Sequence, residues 1–407
     1  MKKALFYLLS TCFLFSSFGF FALLPFSPGG AKVYAFDILV ALFCLVGVIY
    51  LFLMKRVFLP IYSIFAVLFI IFATVSLLLR FGDLTISQLL VSASYLIRLA
   101  MYFVLSSVVY NLFNKDPKST KMIVGVMLAS SIFIAVSGFI QLFVIPDFRV
   151  LPREQGWDPH INRLASTFFD PNFAGGYLVL GLILAVCMYI FEGSKSKTYL
   201  PVAIMTLLVA LILTFSRSSW LMFSVVVFIL GIFKSRKLLV LTLILMFLTY
   251  YLVPRAQTRL SGVTDPSDSA ALRLKSWENA LTISKDSLGT GVGFNAYRYA
   301  QADYGYFDYR DDSGGNAGAG ADSSLLLVLA TTGIPGLMLF VFQYLSLFLN
   351  GAKGWLHKKS YLSPALLISV CALFVHSQFV NSIFYPQFLL WIAVLSALSF
   401  FEVDLNG

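Results

Sequence analysis

Apolar residues run along this chain in long unbroken blocks, separated by short polar stretches. Blocks long enough to cross ~30 Å of hydrocarbon recur from one end to the other. Unbroken runs favour helices over the alternating strands of a barrel. The pattern predicts twelve spans: Ala4–Leu24, Val33–Met54, Val57–Leu79, Leu89–Phe113, Met122–Val144, Phe173–Phe191, Tyr199–Phe215, Trp220–Phe233, Leu238–Val253, Ser324–Leu349, Tyr361–Phe379 and Phe388–Phe401. Trp220–Phe233 is short and is expected to run a turn longer at each end. The fold class is all-α, a polytopic helical membrane protein forming a single integral-membrane domain over 1–407. Two larger extracytoplasmic loops are expected, 145–172 and 254–323, with an amphipathic helix at 269–284 in the second.

Charge sets the orientation. Charged residues make up 12% of the chain, about half the fraction of a soluble domain. With a cytoplasmic N-terminus, the inner loops hold Lys2, Lys3, Lys55, Arg56, Lys115, Lys118, Lys121, Lys195, Lys197, Lys234, Arg236, Lys237, Lys353, Lys358 and Lys359, opposed by four acids. That is the positive-inside bias, and it puts both termini in the cytoplasm. It also accounts for the net charge of +10 without nucleic-acid binding. Thirteen of those fifteen inner bases are lysine, whereas the outer ones, apart from Lys32, Lys275 and Lys285, are arginine. Arginine suits bidentate binding of phosphate or carboxylate as well as salt bridging to the outer acids.

Met1–Leu24 has the start of a signal peptide, but its apolar core is long and no small-x-small cleavage site follows, so a retained first helix is expected. Cys12, Cys44, Cys187 and Cys371 all fall in predicted spans, which predicts no disulfides and no zinc site. Within 269–284, capped by Asp268 or Ser269, Leu274, Trp277 and Leu281 share a face. That face can meet a membrane surface or its own loop. Gly289, Gly291 and Gly293 lack the βαβ context of a dinucleotide site. Asp308, Asp311 and Asp312 lie in a glycine-rich loop, where calcium binding competes with plain solvation. No internal repeat of the transporter kind is present.

Chemistry concentrates on the outer side. In LILTFSRSSW, Arg217 stands between two apolar segments, at the start of the eighth span. A guanidinium at that depth can snorkel to water. It can also join the unpaired amides of a helix N-terminus, with Ser216 in the same turn, as an anion site at headgroup level. The ligand such a site suggests is a lipid phosphate or pyrophosphate. Asp322, at the outer mouth of the tenth span, reads as that helix's N-cap or as a carboxylate general base. Arg163 and Asn172 flank the outer end of the sixth span, in reach of sugar or phosphate. His376, Gln378 and Asn381 sit near the outer end of the eleventh. Arg98 lies inside the fourth span, where a charge is a functional hypothesis by default. Asp37 is its obvious intramembrane partner, so a structural pair and a role near lipid phosphate both stand.

Several motifs together resemble a known family. TFSRSSW, RLKSWENAL, LGTGVGFNAY and DSSLLLVLATTGIPGL, with RLASTFFDPNFAGGYL before them and HSQFVNSIFYPQ after, are similar to the O-antigen ligase and O-antigen polymerase superfamily of bacterial envelope enzymes. The resemblance runs from Gln141 to Trp391 and rests on the order and spacing of motifs that are individually degenerate. It implies a membrane glycosyltransferase whose donor is a glycan on undecaprenyl pyrophosphate, with a hydroxyl of a glycan acceptor as nucleophile. A chain-length regulator is a further implied partner. No cofactor, nucleotide or metal is implied. In the family, arginines matching Arg217 and Arg273 hold the pyrophosphate. The ligase branch has a histidine general base eleven residues before the glycine of the tenth span. Here that position is Asp322, counting from Gly333. An unperturbed aspartate, with a pKa of about 3.9, is a weak base at neutral pH. The departure favours polymerisation of lipid-linked repeats over ligation of a finished glycan. A transporter is the alternative from another class, and one-sided polarity with almost no midplane charge argues against it.

Overall fold

The computed structural model describes residues 1–25, 31–55, 58–151, 160–191, 198–234, 236–261, 269–306, 320–357 and 360–400. The helices are α1 (Lys2–Ser17), α2 (Ala35–Leu53), α3 (Ile64–Leu78), α4 (Ile86–Phe113), α5 (Pro117–Val144), α6 (Pro171–Phe191), α7 (Tyr199–Leu213), α8 (Arg217–Phe233), α9 (Arg236–Leu252), α10 (Pro254–Ser261), α11 (Ser269–Lys285), α12 (Tyr297–Asp303), α13 (Ser324–Leu356), α14 (Leu362–His376) and α15 (Pro386–Ser399). Among the described residues the only β-pairing is two isolated bridges, Leu23 with Tyr34 and Asp147 with Ile161. The protein is all-helical. A helix overlaps each predicted apolar segment. Five of them, α2, α4, α5, α6 and α13, are long and apolar enough to cross a membrane by length and composition.

Packing runs through α6, α14 and α15, whose side chains are buried nearly all round. Trp391, Tyr177 and Phe388 stack edge to face there, with centroids 5.2 and 6.1 Å from Tyr177. The outer surfaces of α2, α3, α8 and α13 instead expose large apolar side chains. That inversion of the soluble pattern fits a hydrocarbon solvent.

Polar side chains bind the two ends of the bundle separately. At one end Lys2 meets Asp116 at 2.7 Å, and Asn114 donates to the carbonyls of Ala397 and Phe400. At the other, Thr167 donates to the Ser17 carbonyl, Ser324 N–H to the Ser377 carbonyl, and Ser76 to the carbonyls of Thr290 and Thr331. Among the described residues, six of the seven non-glycine residues with positive φ are in the connecting segments at this second end: Asn162, Ser166, Phe169, Phe215, Asn295 and Asp322. Backbone strain of this kind collects where a fold holds a site in place.

Two details depart from the hydrophobic pattern. α13 is not continuous: Gly333 has φ 67 and ψ −170, and Pro335 follows. The 288–292 segment inserts against that break. Ile334 N–H donates to the Leu288 carbonyl and Val292 N–H to the Ala330 carbonyl, both at 2.8 Å. A Cβ at Gly291 would lie 2.2 Å from the Thr331 carbonyl carbon. The spaced glycines thus serve a close crossing of two backbones. In α11, Trp277 is half-buried against Phe379, while Leu274 and Leu281 are exposed. The tryptophan faces protein and the leucines face outward, so the three do not share one environment. The cap at Asp268 and the Asp308, Asp311 and Asp312 group lie outside the described residues.

Candidate functional site

The turn between α7 and α8 is built from buried polar residues. Ser216 is the N-cap of α8, its Oγ accepting from Ser219 N–H. Arg217 is therefore the first residue of the helix, half-buried, beside amides that have no intrahelical partner. Arg163 braces this turn from behind. Its Nε donates to the Thr214 carbonyl at 2.9 Å and Nη2 to the Phe215 carbonyl at 3.3 Å. These carbonyls end α7, and Phe215 has φ 47.

A chain of hydrogen bonds ties the turn to two more helices. Ser216 Oγ donates to Asn172 Oδ1 at 2.8 Å, and Ser219 Oγ to the Asn172 carbonyl at 3.2 Å. Ser219 Oγ is 3.5 Å from His376 Nε2, and His376 Nδ1 is 3.0 Å from Ser382 Oγ. The imidazole is fully buried and stacked on Phe388. Arg273, on α11, acts electrostatically on His376. One turn along α11, Trp277 Nε1 donates to the Asp322 carbonyl at 3.5 Å.

Asp322 is not the cap of α13. Ser323 is, its Oγ accepting from Leu326 N–H. Asp322 instead takes a left-handed backbone conformation, φ 49, one residue ahead of the cap, and is half-buried. Aspartate tolerates that region better than most residues. Burial, and then the Asp322 carboxylate, raise the Tyr297 phenol above its ordinary value. Arg217 is two residues from Ser219, which reaches His376. Asp322 is two residues from Ser324, which donates to the Ser377 carbonyl. The two turns therefore meet neighbouring residues at the C-terminal end of α14, His376 and its cap Ser377.

Beside this network lies a cavity of about 370 Å³. It takes in Arg98 and Asn381 from the sequence-predicted set, while Arg163, Asn172, Ser216, Arg217, Arg273, Asp322 and His376 are not in its lining. The Arg98–Asp37 pair forms, at 2.8 Å, with Arg98 also donating to the Lys32 carbonyl. The pair is buried, as the structural reading of it expects, and the Arg98 side chain also lines the cavity. Sequence reasoning missed Lys32 and Arg298, which share the lining with Asp170, Tyr34 and Tyr385. They are isolated bases, Lys32 ahead of α2 and Arg298 at the start of α12, and only the outer location of both could have raised them.

Residues 202–341 match a family model described as O-antigen ligase. The matched stretch covers 140 of the chain's 407 residues. It reaches from α7 to the middle of α13 and so contains Arg217, Arg273 and Asp322. Arg98, Arg163, Asn172, His376 and Asn381 lie outside it. A search of curated proteins returned no match. The family-model match supports the O-antigen ligase and polymerase superfamily, and with the apolar helices it suggests a membrane enzyme of ligase or polymerase kind.

Proposed function

We propose that the chain is a glycosyltransferase that polymerises oligosaccharide repeats carried on undecaprenyl pyrophosphate into a surface polysaccharide. It would work at the outer face of the cytoplasmic membrane, with twelve crossings and both termini inside. The observation that carries this is the O-antigen ligase domain itself, which spans the three elements bearing Arg217, Arg273 and Asp322. The acceptor hydroxyl oxygen attacks the anomeric carbon, and the bond from that carbon to the phosphate oxygen breaks. The departing pyrophosphate takes the electron pair. Arg217, the α8 amides and Arg273 stabilise its growing charge in a partly desolvated site. Asp322 receives or directs the hydroxyl proton. Asn172, Ser216 and His376 hold these parts in register, and Asn381 reaches sugar from the cavity. No metal or other cofactor enters the scheme.

The family description favours a second reading, ligation of a finished glycan to a lipid or protein. Aspartate at position 322, where the ligase branch has histidine, favours the polymerase. The test offers the purified protein a lipid-pyrophosphate glycan in detergent. Wild type should build a ladder of products with no membrane to cross, which a transporter would not. Arg217→Ala should remove about 3 kcal/mol of transition-state stabilisation, slowing transfer by about two orders of magnitude. A ladder of normal rate and length from that variant would refute the role of Arg217.

A further inference from the structure

The cavity next to the α7–α8 turn has a charge pattern of its own. Its walls come from the segment before α2, the middle of α4, the segment leading into α6, the start of α12 and the turn before α15. Lys32, Arg98 and Arg298 bring three positive charges to the lining. Asp37 holds Arg98, and Asp170 is the only carboxylate in the lining among the described residues. Asp170 Oδ1 is already engaged in accepting from the N–H groups of Asn172 at 2.6 Å and Phe173 at 3.3 Å at the start of α6. Among the described residues, one carboxylate is engaged with Arg98 and the other with the α6 amides, and neither pairs with Lys32 or Arg298.

Lys32 and Arg298 are the pair left over. Neither has an ion-pair partner among the described residues. Burial, then the charge of Arg298, bring the Lys32 ammonium down to about 8. Its Nζ lies 5.6 Å from the Phe20 ring centroid, a contact that favours the cation only modestly. Two half-buried cations that repel each other are costly in an empty cavity, and a bound anion reverses that cost. Other lining groups suit a sugar. Tyr34, Tyr95, Phe169 and Tyr385 offer aromatic faces. Tyr297 Oη and Asn381 Oδ1, buried polar atoms of two lining residues, have no hydrogen-bond partner among the described residues. A mostly aromatic wall with a few aimed polar groups is the usual make-up of a small-molecule site.

We propose that this cavity binds a saccharide bearing a phosphoryl group, gripped by Lys32 and Arg298 with Arg98 behind them, and that this saccharide is the acceptor of the transfer. The assignment to an acceptor rests on the glycosyltransferase reading of Arg217; the anion site does not. The two sites share the N-terminus of α6: Asp170 faces the cavity, and Asn172, two residues on, bonds to Ser216 at 2.8 Å. An acceptor held in the cavity would therefore present its hydroxyl beside a donor held at Arg217.

The test measures binding of inorganic pyrophosphate to the full-length protein in detergent at pH 7 by titration calorimetry. Wild type should take up two equivalents. Lys32→Gln/Arg298→Gln should keep one, and Arg217→Ala/Arg273→Ala should keep the other. The site assigned to Lys32 should weaken as pH rises through about 8, because the ammonium loses its proton there. The groups facing that ammonium are Arg298, Arg98, Asp170 and the phenols of Tyr34, Tyr95, Tyr297 and Tyr385. Lys32→Arg, which stays charged, should remove the pH dependence and keep the site. Competition by farnesyl diphosphate but not glucose 1-phosphate would assign the phosphate to a lipid-linked saccharide, and the reverse to a soluble one. Equal competition by neutral methyl glucoside would overturn the anion assignment. So would two full equivalents retained by Lys32→Gln/Arg298→Gln. In turnover, that double variant should raise KM for a phosphorylated acceptor about tenfold and leave donor KM unchanged. Two binding equivalents in a protein that transfers no sugar would sink the glycosyltransferase reading and leave the anion site standing.

Discussion

Arg163→Met separates a brace from a substrate contact. The guanidinium is 7% exposed and donates to two carbonyls, Thr214 and Phe215, at the end of α7. Those carbonyls have no helical partner of their own, and they set the turn from which Arg217 starts α8. Methionine keeps most of the aliphatic stem and removes every donor. Leaving a buried acceptor unsatisfied costs about 1–3 kcal/mol, so losing both should cost about 2–5 kcal/mol of stability. Unfolding of the purified variant in detergent, followed by thermal and denaturant midpoints, reads that loss directly. Activity measured well below the new midpoint should show donor KM within about twofold of wild type, because the groups that meet donor have not been removed. The opposite result, an unchanged midpoint with donor KM raised tenfold or more, would mean that Arg163 holds substrate and that its backbone bonds are incidental.

Two further substitutions test the local geometry. Gly291→Ala should abolish accumulation of folded protein, since the new Cβ would lie 2.2 Å from backbone at a φ of +71, whereas Gly289→Ala, with nothing within 4 Å, should fold normally by size-exclusion profile. Ser323→Ala should lower stability by about 1 kcal/mol through loss of the α13 cap and leave turnover intact. Asp322→Asn should do the reverse, keeping the midpoint and stopping transfer; full activity in that variant would remove Asp322 from the chemistry.

The helices were legible because hydrocarbon-length apolar runs leave little choice of element. Their ends were not, wherever polar residues belonged to a helix. The eighth helix was expected from Trp220 with a turn added at each end; it begins at Arg217 and still ends at Phe233. SRSS reads as a loop until Ser216 is seen to cap it. In DSS at 322–324, three residues could cap, and only hydrogen-bond geometry selects Ser323. The break at Gly333 carried its signals, a glycine and a nearby proline, but an unbroken apolar run masks a kink. Arg217, Asp322 and Arg98 were visible as charges against apolar surroundings. Lys32 and Arg298 were not, since each is an ordinary base in a polar stretch of sequence and only the fold brings them to one wall.

Two anion sites as close together as those proposed would put a physical demand on the scaffold. A donor pyrophosphate and a phosphorylated acceptor repel one another, and hydroxyl attack needs their reacting atoms about 3 Å apart. Fixed cations at each site would meet that demand without moving. Lys32 and Arg298 line the cavity, and Arg217 and Arg273 lie outside its lining. Such an arrangement works only if it is rigid, because a cation displaced by about 1 Å loses much of its advantage in a low-dielectric site. Rigidity comes from the buried core of α6, α14 and α15 and from turns locked by Ser216, Asn172, His376 and Ser382. A neutral acceptor would have no use for the second pair of cations. On the reading proposed above, that pair suits an enzyme whose two substrates both carry phosphate, as a polymerase joining one lipid-linked chain to another would need.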